Sequence, residues 1–130
     1  MSSKKEQALE MFRQHKANCA QAVACAYCGL TGLDEATTRR MFQAFGQGMA
    51  TMEGTCGALV GAGAVLSMAD GDPRKTAQDT RTLVNTFRER SGAVICRELK
   101  GRDTGVVLRS CEECVAEACD ILDGLLPAQD

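Results

Sequence analysis

The sequence contains no tryptophan, one tyrosine, one histidine and two prolines, and aromatic residues make up only 4% of it. A core built from this chain must therefore consist of Leu, Val, Met and Ala with a few Phe side chains. Acidic and basic residues nearly balance, at a net charge of −2, and the two signs are interspersed. The absence of a basic stripe argues against nucleic acid as a partner, because phosphate backbones are bound by clustered Lys and Arg.

Targeting and membrane signals are also missing. The first residues, MSSKKEQALEMFRQHK, lack the apolar region and the cleavage site of a secretory signal peptide. The longest apolar run, residues 56–69, is too short and too rich in glycine to span a bilayer. Within that run the G-x-x-x-G spacing of Gly57 and Gly61 predicts a close approach of two helices. We therefore expect a cytoplasmic protein without a membrane span.

Several cofactor motifs are absent. The chain has no C-x-x-C-H sequence, which excludes covalent haem at the level of motifs, and no phosphate-binding G-x-x-x-x-G-K-[ST] loop. His15 is the sole imidazole, so a metal site in this chain would have to consist mainly of thiolates. A single histidine on an amphipathic helix is more often a surface or core-edge residue than a ligand, and we expect this of His15.

Apolar residues recur with helical spacing almost throughout the chain, and strand-like patterns are limited to two short runs, residues 92–95 and 105–108. Helix-starting residues occur at intervals, namely Asn18, Asp34, Thr55, Asp72 with Pro73, and Ser110. A chain of 130 residues suits one core. The sequence therefore predicts a single all-α domain over residues 1–130, folded as a compact bundle of about five to seven helices.

In contrast, the chain is rich in cysteine. It contains eight, which are Cys19, Cys25, Cys28, Cys56, Cys96, Cys111, Cys114 and Cys119. In a secreted chain this number would indicate a disulfide framework, whereas in a cytoplasmic chain it indicates metal, cluster or redox chemistry. Any one cysteine could be a small core residue, and we expect Cys119 to serve for packing. That explanation does not extend to all eight.

Three cysteines directly follow a predicted helix cap, namely Cys19 after Asn18, Cys56 after Thr55, and Cys111 after Ser110. Ser110 and Glu113 match the capping-box pattern, and Asn18 and Gln21 resemble it. Free N–H groups and the helix macrodipole favour negative charge at the first helical position, so the pKa of a thiol there is predicted to be lowered. The resulting thiolate is both the nucleophile of disulfide exchange and the form that binds metals.

Two C-x-x-C pairs differ in their predicted positions. Cys25 and Cys28 fall late in a helix, where the dipole disfavours a thiolate, and we interpret them as core or surface-edge thiols. Cys111 and Cys114 begin a helix and are therefore better placed for chemistry.

Several motifs occur in order along the chain, at residues 18–23 (NCAQAV), 45–49 (FGQGM), 56–61 (CGALVG) and 96–99 (CREL), followed by Cys111 in the final helix. In this order they resemble the C_GCAxxG_C_C family, over residues 5–126. The resemblance implies a small helical domain whose family cysteines correspond to Cys19, Cys56, Cys96 and Cys111, with Cys114 as an alternative for the last. It further implies redox activity, itself inferred for the family from its cysteines, and an unknown redox partner linked to a transporter.

Two kinds of chemistry stay open at this point. In one, an iron–sulfur cluster or another soft metal is bound by the four family cysteines, Cys19, Cys56, Cys96 and Cys111, with Cys114 as a further candidate. In the other, the four family cysteines form a catalytic site for thiol–disulfide exchange, where one thiol, such as Cys56 or Cys19, attacks a disulfide and a second resolves the mixed disulfide. Whether the chain is an enzyme, and whether it forms a homodimer, also stays open.

An alternative from a different class is a non-catalytic binding module with structural cysteines. The glycine-rich segment 46–54 would then be a soft docking surface, because Met49 and Met52 are flexible and polarizable.

Overall fold

A computed structural model describes residues 3–127 as helices packed around one main apolar core. The α-helices are α1 (Lys4–Arg13), α2 (Cys19–Ala26), α3 (Cys28–Thr31), α4 (Glu35–Met41), α5 (Gly57–Asp70), α6 (Pro73–Ser91), α7 (Cys96–Leu99) and α8 (Cys111–Leu125). Within residues 3–127 no strand forms, and the extended pairing consists of an isolated antiparallel bridge between Thr55 and Ile95. The predicted all-α fold is confirmed. Residues 1–2 and 128–130 lie outside the described part, and the single domain over residues 1–130 stays a prediction.

Most of the predicted helix starts are confirmed by their capping hydrogen bonds. The Asp34 side chain accepts from the Thr37 N–H at 2.9 Å, and the Asp72 side chain accepts from the Arg74 N–H at 2.9 Å. Asn18 and Ser110 each form a complete capping box. These local hydrogen bonds are worth about 1 kcal/mol each, and they set the starts of α2, α4, α6 and α8.

The predicted cap at Thr55 is wrong. Helix α5 begins at Gly57 with Cys56 in the N-cap position, and no side chain caps it. The physical reason is that the backbone around Thr55 is extended and paired with the chain around Ile95. The Cys56 N–H donates to the Val94 carbonyl at 2.7 Å, and the Cys96 N–H donates to the Gly54 carbonyl at 3.0 Å. Cys56 is therefore a residue before the helix rather than its first residue.

The close approach predicted from the G-x-x-x-G spacing is confirmed between α2 and α5. A Cβ atom at Gly61 would lie 2.6 Å from the carbonyl oxygen of Ala20, and one at Gly57 would lie 2.5 Å from the sulfur of Cys19. Real side-chain carbons do not come so close, so glycine is required for this packing. The small residues of α5 thereby bring the start of α2 next to the start of α5.

The other long helices complete the core. Leu83 and Phe87 of α6 are buried, as are Val115, Ala118 and Leu122 of α8. His15 is exposed, as expected. None of the helices within residues 3–127 combines the length and the apolar character that crossing a bilayer requires.

An irregular segment joins α4 to α5 and contains an unusual run of left-handed backbone. Gln47, Met49 and Ala50 have φ values of 51°, 62° and 63°, and Gly48 between them has a φ of 58°. Left-handed conformations cost about 1–2 kcal/mol for each residue that is not glycine. The segment is held by backbone hydrogen bonds from Ala50 to Gly46 at 2.9 Å and from Gly54 to Gly48 at 3.0 Å.

Candidate cysteine site

The starts of α2, α5, α7 and α8 meet, and they bring cysteines together from distant parts of the sequence. The thiols concerned are those of Cys19, Cys56, Cys96, Cys111 and Cys114, which we call the cysteine cluster. Its members are close enough for the charge on one thiolate to affect the ionisation of another. The structure therefore brings the four predicted site cysteines, and Cys114 as the further candidate, near one another, and their role as a functional site stays a prediction.

Cys19 is the first residue of α2 and is only 5% exposed. The Asn18 side chain accepts from the Gln21 N–H at 2.8 Å, and the Gln21 side chain accepts from the Asn18 N–H at 2.9 Å. Burial nevertheless raises the pKa of the Cys19 thiol, and it outweighs the hydrogen bond that the Gln47 backbone N–H donates to the sulfur. The predicted lowering of this pKa is wrong, because the free-energy penalty of desolvating a thiolate exceeds the stabilisation that the helix start provides.

Cys56 and Cys96 lie side by side because of the backbone bridge that precedes their helices. Each is 4% exposed. Burial raises the pKa of Cys96, against the favourable effect of the Lys100 ammonium. A Cβ atom at Gly48 would lie 2.7 Å from the Cβ of Cys96, so the left-handed segment packs directly on this side chain.

Cys56 and Cys114 share a hydrogen bond with unequal consequences. The bond raises the pKa of Cys56, which burial raises further, and it lowers the pKa of Cys114. Burial opposes the lowering at Cys114, whereas the Lys100 ammonium adds to it. The Nζ atom of Lys100 lies 3.8 Å from the Cys114 sulfur. Within this pair, the hydrogen bond and the lysine therefore favour the charged form at Cys114 rather than at Cys56.

Lys100 borders the cysteine cluster, and the sequence reasoning missed it. It follows the last residue of α7, and its Nζ donates to the Arg109 carbonyl at 3.2 Å, which anchors it beside the start of α8. Burial alone would lower the pKa of Lys100, but thiolates at Cys114 and Cys111 outweigh this and raise it. The available signal was its position four residues after Cys96, because residues four apart share a helix face.

Cys111 is the first residue of α8 and the least buried member of the cysteine cluster. The Ser110 side chain accepts from the Glu113 N–H at 3.1 Å, and the Glu113 side chain accepts from the Ser110 N–H at 2.9 Å. Lys100 hydrogen-bonds to Cys111 as well as to Cys114. Both thiols of this C-x-x-C pair therefore border the same ammonium group, and the one at position 111 is the more accessible.

The remaining cysteines lie apart from this cluster. Cys119 is fully buried, and burial raises its pKa to about 12, which fits the predicted packing role. Cys25 is buried and Cys28 is half-buried, in agreement with the interpretation as core and surface-edge thiols.

All eight cysteines are free thiols. Within residues 3–127, no three Cys, His, Asp or Glu side chains are grouped closely enough to hold a metal ion. The cluster therefore brings thiols within electrostatic reach of one another without closing a disulfide or a coordination sphere.

The two methionines proposed for a docking surface differ in exposure. Met49 is 52% exposed at the tip of the left-handed segment, whereas Met52 is half-buried and its sulfur lies 3.7 Å from Nη1 of Arg102.

Fold and site together define an all-α protein with a cluster of thiols around a lysine ammonium group. The chain belongs to the C_GCAxxG_C_C family, because the family model described as "Putative redox-active protein (C_GCAxxG_C_C)" matches residues 17–125. The resemblance inferred from the motifs is confirmed. No curated protein and no solved structure is significantly matched by the chain.

Proposed function

We propose that the protein is a thiol–disulfide exchange protein that uses Cys111 and Cys114 as its reactive pair. The observation that carries the proposal is the 3.8 Å separation between Lys100 Nζ and the Cys114 sulfur, at the start of α8. A neighbouring cation favours the charged form of a thiol, and the thiolate is the form that attacks a disulfide. The two cysteines also occupy the first and fourth positions of a capped helix.

The substrate in this proposal is a disulfide. Cys111, the least buried thiol of the cluster, attacks one substrate sulfur, and its proton ends on the thiol that departs. The Cys114 thiolate then attacks the Cys111 sulfur of the mixed disulfide. A bond between Cys111 and Cys114 forms, and the second substrate sulfur leaves as a thiolate. Two electrons thus pass from the protein dithiol to the substrate disulfide.

The other family cysteines support this reaction without forming its disulfide. Cys56 donates the hydrogen bond that lowers the pKa of Cys114. Cys19 and Cys96 have raised pKa values because they are buried, so they line the pair with uncharged thiols. Cβ atoms three residues apart on a helix lie about 5–6 Å from each other, whereas a disulfide needs about 3.5–4.5 Å. Closing the bond therefore requires a local shift of about 1–2 Å at the first turn of α8.

The test is equilibration of the reduced protein with mixtures of reduced and oxidised glutathione, followed by acid quenching, alkylation and peptide mapping. The wild-type protein should form a disulfide between Cys111 and Cys114. Cys114→Ser should stop at a mixed disulfide with glutathione on Cys111, because the resolving thiolate is gone.

The matched control is Cys119→Ala, which removes a buried thiol outside the cysteine cluster and should leave the exchange intact. The proposal fails if Cys111 and Cys114 stay reduced at every glutathione ratio. It also fails if Cys114→Ser and the wild-type protein give the same products.

A thiolate-bound metal centre is the second candidate function. It is favoured by the donor set, since Cys19, Cys56, Cys96, Cys111 and Cys114 are the soft ligands that iron–sulfur clusters and zinc take. When bound, such a centre would supply electron transfer or structural cross-linking. The described arrangement does not fit a metal ion as it stands, because no group of three ligands is close enough within residues 3–127. Thiol–disulfide exchange therefore has the better support.

Elemental analysis and an absorption spectrum of protein purified without oxygen separate the two candidates. A metal centre predicts a near-stoichiometric metal, with sulfide in the case of a cluster, and its loss in Cys56→Ser. Thiol–disulfide exchange predicts metal-free protein that still passes the glutathione test.

A further inference from the structure

A second pair of thiols lies outside the cysteine cluster, where α2 gives way to α3. The helical path is interrupted at Tyr27, which has φ −104° and ψ 17°, between Cys25 and Cys28. Both thiols are directed towards α4. The Cys25 sulfur lies 4.0 Å from the Glu35 carbonyl oxygen, and the Cys28 thiol donates to Thr38 Oγ1 at 3.4 Å.

The two sulfur atoms affect each other directly. Burial, together with the neighbouring Cys28 thiol, raises the pKa of Cys25 to about 11. Glu35 and Thr38 are three residues apart on α4, as Cys25 and Cys28 are on the opposite side. The pair is therefore aligned along one neighbouring helix, rather than pointing to different parts of the core. A disulfide needs Cβ atoms about 3.5–4.5 Å apart, so closing a bond between Cys25 and Cys28 requires a local shift at the break beside Tyr27.

A surface cavity of about 350 Å³ gives access to one member of the pair. Its walls come from α1, the residues after α1, α2 and α4, and they include Glu10, Lys16, Cys25, Glu35 and Arg39. Charges of both signs line it, with Lys16 and Arg39 opposite in sign to Glu10 and Glu35. Arg39 is fixed in the wall by an ion pair with Glu35 at 2.9 Å and by a hydrogen bond to the Lys16 carbonyl.

We propose that Cys25 and Cys28 form a second redox-active dithiol, which is oxidised by a small disulfide bearing both carboxylate and ammonium groups. The cavity is in the size range of small-molecule sites, and its mixed charges match such a zwitterionic molecule. Cys25 lines the cavity and Cys28 does not, so Cys25 meets the substrate there and Cys28 is the resolving thiol.

The reaction balances as an ordinary exchange. Cys25 displaces one half of the small disulfide, and the proton that it loses ends on the released thiol. Because the raised pKa of Cys25 keeps it protonated at neutral pH, this first step is slow there and accelerates as the pH rises. Cys28 then attacks the Cys25 sulfur, a bond between Cys25 and Cys28 forms, and the second half leaves with the proton from Cys28. The protein loses two electrons, and the small disulfide gains them.

Oxidation here would tie α2 to α3 across the break at Tyr27. The Tyr27 hydroxyl donates to Asp123 of α8 at 2.7 Å, so the break is already fixed to the helix that carries Cys111 and Cys114. The second dithiol is nevertheless independent of the proposed function, because it shares no thiol with the cysteine cluster.

The test uses oxidised glutathione as the small zwitterionic disulfide, applied to the wild-type protein and to the double variant Cys111→Ser with Cys114→Ser. Fragmentation of the peptide that contains Cys19, Cys25 and Cys28 should locate a disulfide between Cys25 and Cys28 in both proteins. Cys28→Ser should stop at glutathione bound to Cys25. Failure of the proposed function would leave the double-variant result unchanged.

Lys16→Glu tests the cavity, because it reverses one cation in the wall on an exposed side chain. Oxidation by glutathione disulfide, which carries a net negative charge, should slow several-fold, whereas oxidation by the uncharged reagent diamide should keep its rate. The inference is overturned if Cys25 and Cys28 remain reduced in folded wild-type protein, or if the mapped bond joins either residue to Cys19. Equal effects of Lys16→Glu on both oxidants would overturn the role of the cavity.

Discussion

The starts of α2 and α8 are built alike and differ in their chemistry. Each begins with a cysteine, at position 19 or 111, behind a complete capping box. At α2 the thiol is buried against Gly57, and burial raises its pKa. At α8 the first thiol is half-buried, and the ammonium group of Lys100 lies beside the thiol one turn later, at Cys114.

The difference shows that a helix start alone does not decide whether a thiol ionises. Partial charges at a helix end stabilise an anion by about 0.3–1 kcal/mol at exposed sites. Burial without a charged partner shifts a pKa by up to several units, which is a larger free energy. At Cys114 the hydrogen bond from Cys56 and, to a smaller extent, the Lys100 ammonium outweigh burial, whereas at Cys19 burial outweighs the hydrogen bond from Gln47.

The largest effect is expected from a substitution that disrupts the packing between the starts of α2 and α5. Gly57→Ala would place a Cβ 2.5 Å from the Cys19 sulfur and 2.6 Å from the Phe45 carbonyl oxygen, so it should lower the free energy of unfolding by about 3 kcal/mol. Gly63→Ala, in the same helix with nothing within 4 Å, should raise it by about 0.5–1 kcal/mol. Urea unfolding of both variants measures the contrast, and similar values for the two would contradict the described packing.

The next largest effect is expected from removal of Lys100, the residue that distinguishes the start of α8 from the start of α2. Lys100→Met should raise the pKa of Cys114, because the cation beside this thiol is lost. Thiolate absorbance in a pH titration of the reduced protein measures the shift, and the transition that moves should be missing in Cys114→Ser.

Exchange with glutathione disulfide should correspondingly need a higher pH in Lys100→Met. The sign follows from the direction of the shift: the lysine helps to lower the pKa of Cys114, so without it the thiol ionises at a higher pH. Lys4→Met removes a charge from the start of α1 and serves as the control. An unchanged titration in Lys100→Met would show that Lys100 does not affect the ionisation of Cys114.

The smallest effect compares the two caps. Ser110→Ala should destabilise the protein by about 1 kcal/mol through the lost bond to the Glu113 N–H. Asn18→Ala should cost about 1 kcal/mol more, because the Asn18 side-chain amide also donates to the carbonyls of Phe42 and Gln43. Thermal unfolding ranks the two, and a larger loss for Ser110→Ala would show that those extra bonds contribute nothing.

Local rules predicted the parts of the fold that depend on neighbours in sequence. The capping boxes at Asn18 and Ser110, and the glycine spacing in α5, all appear as expected. The start of α5 was misplaced because Thr55 is held by a pairing with Ile95, forty residues away. No periodicity in the sequence reports a contact of that kind.

In the candidate site, too, the sequence predicted the local features, and contacts between distant residues decided the rest. Family motifs identified Cys19, Cys56, Cys96 and Cys111, but they could not rank the thiols by reactivity. Cys114 became the strongest candidate thiolate because Cys56 and Lys100, from distant parts of the chain, lie beside it. Ionisation depends on distance in space, which the chain order does not give.

The sequence by itself determined that this protein is helical, where most of its capped helices begin, and to which family its cysteine motifs assign it. These properties arise from hydrogen bonds within a few residues and from composition. The tertiary structure alone decided that four helix starts meet and that the Cys19 sulfur packs against Gly57. It also decided that Lys100 lies beside Cys111 and Cys114 at the start of α8. The physical reason is that burial and charge act across space, and both outweigh the local effect of a helix end.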